Sequence, residues 1–260
     1  MDYISIKNLS KTFEGSDRSV PALQNINLSL SQGEFVCLLG PSGCGKSTLL
    51  NAIAGFIQPS SGDIIVNGQP VVGPGPDRGV VFQEYAIFPW MTVARNIAFG
   101  LEIKGAAGAQ IQETVDALLD TLGLREFRDR FPKDLSGGMR QRVAIARLLA
   151  IDSPVMLMDE PFGALDALTR RTLQDELLRI WRKSGKTILF VTHSIEESLY
   201  LADRIVVMTY RPGTIKRNQI ITLAHPRDPA GAEFNDLKRE LGQLVMEEQE
   251  RHTRDEMKGE

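Results

Sequence analysis

"FVCLLGPSGCGKSTLLNAIAG", residues Phe35–Gly55, is the stretch that decides the fold. Its first five residues are apolar without alternation, which reads as a strand buried on both faces. "STLLNAIAG" reads as a helix. Between the two, "GPSGCGKST" (residues 40–48) matches G-x-x-x-x-G-K-[ST] in the strand–loop–helix setting that a phosphate-binding loop requires. Residue frequencies put a chance match in a chain of this length at about one in a hundred, and the context lowers it further. Gly43 and Gly45 let backbone N–H groups curl around phosphate oxygens. The helix N-terminus adds about half a positive charge. Lys46 reaches the β- and γ-phosphates, Ser47 offers a hydroxyl to Mg²⁺, and Thr48 supports the α-phosphate. Gly40, Ser42 and Cys44 complete this candidate nucleotide-binding set.

Working outward, two more runs are apolar without alternation, "VMLM" (155–158) and "TILFV" (187–191). With helical patterns between them, they predict an α/β chain with a mainly parallel sheet. "YISIKNL" and "INLSL" alternate instead, and Asn67-Gly68 sits between two short strands as a hairpin signal, so the N-terminal part reads as antiparallel β. The segment about 85–152 is mostly helical and reads as an inserted subdomain. Its "AQIQETVDALLDTLGL" places Ile111, Val115, Leu118, Leu119 and Leu122 at helical spacing, closed by Gly123. "SIEE" (194–197) has the form of a capping box. The chain divides into residues 1–230 and a charged helical tail, 231–260.

The strand ends carry the candidate chemistry. "VMLMDEP" (155–161) ends in two carboxylates. Asp159 at the strand tip can hold Mg²⁺ through its water shell, and Glu160 is then the natural general base for a water attacking the γ-phosphate. Alone, an acidic pair after a strand is as often a solvated loop; beside the phosphate loop it reads as chemistry. Gln83, ending "GVVFQ" as a further strand, can touch Mg²⁺ or the attacking water, or be an exposed polar residue. His193, ending "TILFVTH", can face the ligand crevice at the C-terminal edge of a parallel sheet, or be a structural histidine.

"DLSGGMRQRVAIARLLAI" (134–151) sets two helix-weakening glycines behind Ser136, a good N-cap. Together, "GPSGCGKST", "VVFQ", "LSGGMRQR", "VMLMDEP", "GALD" and "VTH" resemble the ATP-binding subunit of an ABC transporter, with motif order and spacing matching over residues 3–222. "LSGG" separates this family from other P-loop ATPases. The resemblance implies a P-loop NTPase fold of the ABC ATPase type, with ATP and Mg²⁺ as ligands. It also implies a head-to-tail dimer in which each ATP sits on one chain's phosphate loop and under the other chain's Ser136, Gly137 and Gly138. Bare glycine backbone would let N–H groups approach the partner's γ-phosphate. Phe13 in "SKTF" falls where the family stacks an aromatic, more often Tyr, on adenine; read alone it is an exposed or core Phe. Asp166 in "GALD" matches a loop that reports across the dimer, with Gly163 where Ser is commoner.

Residues 73–101 and 159–181 are similar to a narrower group, the bacterial importers for nitrate, sulfonates, taurine, bicarbonate and some thiamine precursors. Tyr85–Trp90 is apolar and aromatic, either a groove that receives a cytoplasmic helix of a permease or core of the helical subdomain. The implied partners are a second copy of the chain, two transmembrane permease subunits and, indirectly, an extracytoplasmic solute-binding protein. The implied location is the cytoplasmic face of the membrane, held peripherally. A net charge of -3 and a pI of about 5.8 disfavour a broad nucleic-acid face. Two cysteines do not make a disulfide framework, and no run approaches the ~20 apolar residues of a membrane helix. The competing readings are a soluble ABC-type ATPase acting on nucleic acid or ribosomes and a metabolic P-loop kinase. The first usually carries paired cassettes, a coiled-coil insertion or a basic tail; the second lacks "LSGG".

Overall fold

The computed structural model describes residues 2–15, 19–163 and 165–258. In chain order the elements are β1 (Asp2–Glu14), β2 (Ser19–Ser31), β3 (Phe35–Leu39), α1 (Lys46–Ala54), β4 (Ser61–Val66), β5 (Gln69–Pro70) and β6 (Arg78–Val81). There follow α2 (Val93–Ile103), α3 (Gly108–Thr121), α4 (Gly137–Ile151), β7 (Val155–Asp159), α5 (Ala167–Ser184), β8 (Thr187–Thr192), α6 (Ile195–Leu201), β9 (Arg204–Met208), β10 (Ile215–Ile220) and α7 (Ala232–Lys258). They form two compact units, Met1–Gly75 with Thr187–Glu260, and Pro76–Lys186. Among the described residues no helix is long and apolar enough to cross a membrane.

The first unit holds an antiparallel sheet in the order β2-β1-β4-β5. Its alternation is the predicted one: Ile4 and Ile6 on β1, with Ile26, Leu28 and Leu30 on β2, are buried while their neighbours face out. Asn67, at φ 49, opens the two-residue turn between β4 and β5. Beside this sheet β3 runs parallel to both β8 and β9, and β10 closes antiparallel on β9. Every residue of β3 and β8 is buried, which is why neither alternates. A Glu34–Arg204 pair (2.6 Å) and an Asp203 carboxylate accepting the Phe35 N–H (3.1 Å) fix where these strands begin.

At α6 the capping signal is met through an intermediary. Ser194 Oγ accepts the Glu197 N–H (3.3 Å), while the Glu197 carboxylate accepts the Thr192 hydroxyl, whose oxygen takes the Ser194 N–H (3.0 Å). The tail forms α7, with Phe234, Leu241 and Glu248 buried along one side.

In the second unit β6 and β7 pair in parallel, Val81 opposite Met158. Three helices pack through Val93, Ile97 and Leu101 of α2, Val115 and Leu119 of α3, and Val143, Ala146 and Ala150 of α4. Thr92 caps α2 and Asp166 caps α5. The strand expected to reach Gln83 ends at Val81. Phe82 and Gln83 lie past its last paired residue, and Gln83 is an exposed turn residue.

Candidate nucleotide-binding and hydrolysis site

Helix α1 opens on the glycine-rich loop, residues 40–45, expected to bind phosphate. Its N-cap is Gly45, at φ 93, with no side chain to cap the first N–H groups, so the positive end of the helix is left for a ligand. A Cβ at Gly45 would stand 2.7 Å from Leu23 Cδ2 and 2.9 Å from Ala22 O, so both conformation and space require glycine. Lys46 is only 5% exposed and donates from Nζ to the Gly40 (2.8 Å) and Pro41 (2.9 Å) carbonyls. The ammonium is thereby held inside the loop, on oxygens it can exchange for those of a phosphate. Cys44 is buried; burial pushes its thiol up, against the pull of the Lys46 charge, so it fills space as a neutral group. Ser42, Gly43 and Ser47 are exposed, and Thr48 is half-buried.

Phe13 lies on β1 directly opposite Val20 of β2 and is 42% exposed, with Lys11 Nζ 5.1 Å from its ring centroid. It is a surface ring, not a core one. His193 is exposed, between the end of β8 and the Ser194 cap of α6. Phe13, residues 40–48 and His193 thus belong to the first unit; Gln83, Ser136, Gly137, Gly138, Asp159, Glu160 and Asp166 belong to the second.

There, β7 delivers Asp159 and Glu160 at its C-terminal end, both half-buried. Glu160 adopts φ 42, an uncommon conformation for a residue with a side chain and one that clusters where the surroundings hold a group in place. Its carbonyl accepts the Gly163 N–H (3.1 Å). Ser136 is the N-cap of α4, its Oγ accepting the Met139 N–H (3.3 Å), which leaves the hydroxyl hydrogen to donate. Gly138 is buried so closely that a Cβ would meet Thr169 Cγ2 at 2.6 Å; at Gly137 one would lie 3.7 Å from Tyr85 Oη and 3.6 Å from Leu165 Cδ2. The start of α4 and the start of α5 are therefore neighbours. Asp166 Oδ1 accepts the Leu168 (3.1 Å) and Thr169 (3.0 Å) N–H groups, and the Thr169 backbone bond holds its carboxyl below the usual range.

The aromatic segment after Gln83 is neither plain core nor loose loop. Tyr85 and Ala86 have φ 64 and 48. Phe88 packs edge-on to Phe99 (4.6 Å) and tilts against Trp90 (5.6 Å), which is 70% exposed. Two residues that sequence reasoning missed hold it. Asn96 of α2, fully buried, accepts the Phe88 N–H (2.8 Å) and donates to the carbonyls of Phe88 (3.1 Å), Met91 (3.1 Å) and Thr92 (3.0 Å). Arg147 of α4 sits 4.4 Å over the Phe88 ring and donates to the Ala86 carbonyl, and burial lowers its pKa. The available signal was an Asn beside the apolar stripe Val93–Ile97–Leu101, a costly position unless its amide is bonded.

A profile of the ABC transporter family matches residues 23–163. The chain is 51% identical over 225 residues to a taurine import ATP-binding protein of Roseobacter denitrificans, covering 86% of this chain and 84% of that one. It is 48% identical over 238 residues to a nitrate import ATP-binding protein of Synechocystis sp., covering 92% and 90%. Among solved structures it resembles a dimeric ATP-binding cassette in a post-hydrolysis state bound to ADP and Pi, with a TM-score of 0.76 at 32% identity over 85% of this chain and 100% of that one.

Proposed function

The chain belongs to the ABC transporter family, and on that premise we propose that it is the ATP-hydrolysing subunit of an importer for a small solute. The observation that carries this is the phosphate loop: an uncapped helix N-terminus at Gly45 with the Lys46 ammonium folded inside the loop. Backbone N–H groups of residues 43–48 and Lys46 bind the phosphates, and the exposed Phe13 ring stacks on the base. Ser47, Gln83 and Asp159 present a hydroxyl, an amide oxygen and a carboxylate, a hard oxygen set that fits Mg²⁺. When bound, Mg²⁺ neutralises charge on the β- and γ-phosphates. Glu160 takes the proton from the attacking water, and Gln83 and His193 orient water and γ-phosphate.

Ser136, Gly137 and Gly138 act on the ATP of a second copy in a head-to-tail dimer, as the dimeric cassette it resembles supports. In this reading Asp166 lies in the loop that reports across that dimer, residues 1–230 make the ATPase domain with a helical subdomain at about 85–152, and 231–260 form its tail. Two permease subunits dock near Tyr85–Trp90, where Trp90 stands exposed on the framework set by Asn96 and Arg147. The chain then works at the cytoplasmic membrane face, with a solute-binding protein acting through the permease. Its relatives named for taurine and nitrate support a small oxyanion or sulfonate as the solute.

Glu160→Gln tests the reading. It keeps the shape of the side chain and removes the base, so turnover falls about 10²–10⁴-fold while ATP still binds and the dimer accumulates. Near-normal turnover in the purified variant would refute Glu160 as the base.

A further inference from the structure

The tip of the β9–β10 hairpin braces the phosphate loop, and α7 braces the tip. Gly213 donates its N–H to Ala22 O and accepts the Gln24 N–H, both at 2.9 Å, and a Cβ there would stand 2.2 Å from Cys44 O. Next to it, Arg211 Nε donates to the Gly43 carbonyl (3.4 Å). The Gly43–Cys44 peptide is planar and trans. Drawing its oxygen outward to Arg211 therefore aims the Cys44 N–H inward, where it meets Pro41 O at 3.4 Å. Tyr210 donates its N–H to Glu248 Oε2 (2.9 Å), and its ring lies edge-on to His252 of α7 (4.5 Å). Glu248 is nearly fully buried and also takes Lys216 Nζ (2.7 Å). Arg211 further borders a cavity of about 530 Å³ that reaches Val20, the cross-strand partner of Phe13.

We propose that Arg211 is a positioning residue for the nucleotide, fixing the Gly43 peptide so that the loop's N–H groups converge, and that α7 sets it through Glu248 and Tyr210. A loop built on two left-handed glycines loses much chain freedom on ordering, and a charged tether at its tip reduces what ATP must still order. The inference rests on the reading of residues 40–48 as an ATP site.

The test measures binding of a fluorescent ATP analogue and ATPase rate on the full chain. Arg211→Ala weakens binding roughly three- to tenfold, the scale of one exposed charge-assisted hydrogen bond, with kcat at saturating ATP within about twofold. Arg211→Lys recovers most of the affinity. Glu248→Ala shifts affinity in the same direction, and the double variant with Arg211→Ala is no worse than Arg211→Ala alone. Arg217→Ala, which removes a hairpin-to-α7 pair with Glu240 away from the loop, leaves affinity unchanged. Unchanged affinity in Arg211→Ala overturns the proposal, and full additivity with Glu248→Ala overturns the role of α7. A wild-type chain that binds no ATP analogue refutes the ATP reading itself, and this inference with it.

Discussion

Asn96→Ala removes a buried amide that hydrogen-bonds Phe88–Thr92 to α2. Four hydrogen bonds of 2.8–3.1 Å disappear from a fully buried position, but their loss is not shared equally among the partners. Thr92 O still accepts the Asn96 backbone N–H (2.9 Å), and Phe88 O still accepts the Met91 N–H (3.2 Å). The groups that lose the amide outright are the Phe88 N–H and the Met91 carbonyl. Each orphaned buried group costs about 1–3 kcal/mol, and water reaching a site this near the surface recovers part of it, so the variant is expected to lose about 2–3 kcal/mol. Urea unfolding followed by Trp90 emission, in a Trp181→Phe background, measures it. Asn96→Asp should be worse at neutral pH, because a carboxylate facing three carbonyls cannot donate to any of them. Those carbonyls raise its folded pKa above the unfolded value of about 3.9, so the extra penalty grows as pH rises through that range and is relieved as pH falls. A change in Asn96→Ala under about 0.5 kcal/mol, the size of an ordinary surface substitution, would refute the bracing role.

Gly45→Ala forces a side chain into φ 93 and against Leu23 Cδ2 and Ala22 O, and should lower stability by about 2–4 kcal/mol and abolish ATP binding in equilibrium titrations. Lys46→Ala and Ser136→Arg chains, each inactive alone, should regain part of the ATPase activity when mixed. If the start of α4 acts on the partner's ATP, one composite site collects both lesions and the other is intact; verified heterodimers without activity would contradict this. Glu248 is pushed up by burial, but the hydrogen bonds from Lys216 and the Tyr210 N–H outweigh that and hold it below 4.5. Its contribution to stability is therefore present above about pH 4.5 and lost as pH falls through its folded pKa, so Glu248→Gln should flatten the acid limb of a urea-midpoint profile between pH 3 and 6.

Much of the local structure of the candidate site was legible because it is written in consecutive residues. The Gly40–Thr48 loop, the buried strands β3, β7 and β8, and the caps at Ser136 and Ser194 each follow from a local pattern, whether glycine spacing, an unbroken apolar run, or a hydroxyl ahead of a helix. Even there the detail was structural. "GVVFQ" is apolar enough to continue as a strand, but its partner pairing stops at Val81 opposite Met158, and Gln83 falls in a turn. Asp166 reads as a loop residue in sequence and is the cap of α5 in space.

What the sequence by itself determined is the class of fold and the local form of the candidate loop proposed to meet phosphate, because that loop and the strands around it are specified by neighbours within a few residues. The tertiary structure alone decided how those groups are held. Lys46 rests on the Gly40 and Pro41 carbonyls, Arg147 reaches Ala86 across 61 positions, and Arg211 reaches Gly43 across 168. An arginine in a turn and an asparagine beside an apolar helix stripe carry no periodic signal of their partners. Only chain folding brings a distant carbonyl within hydrogen-bond reach, and that proximity turns a solvated side chain into a tether.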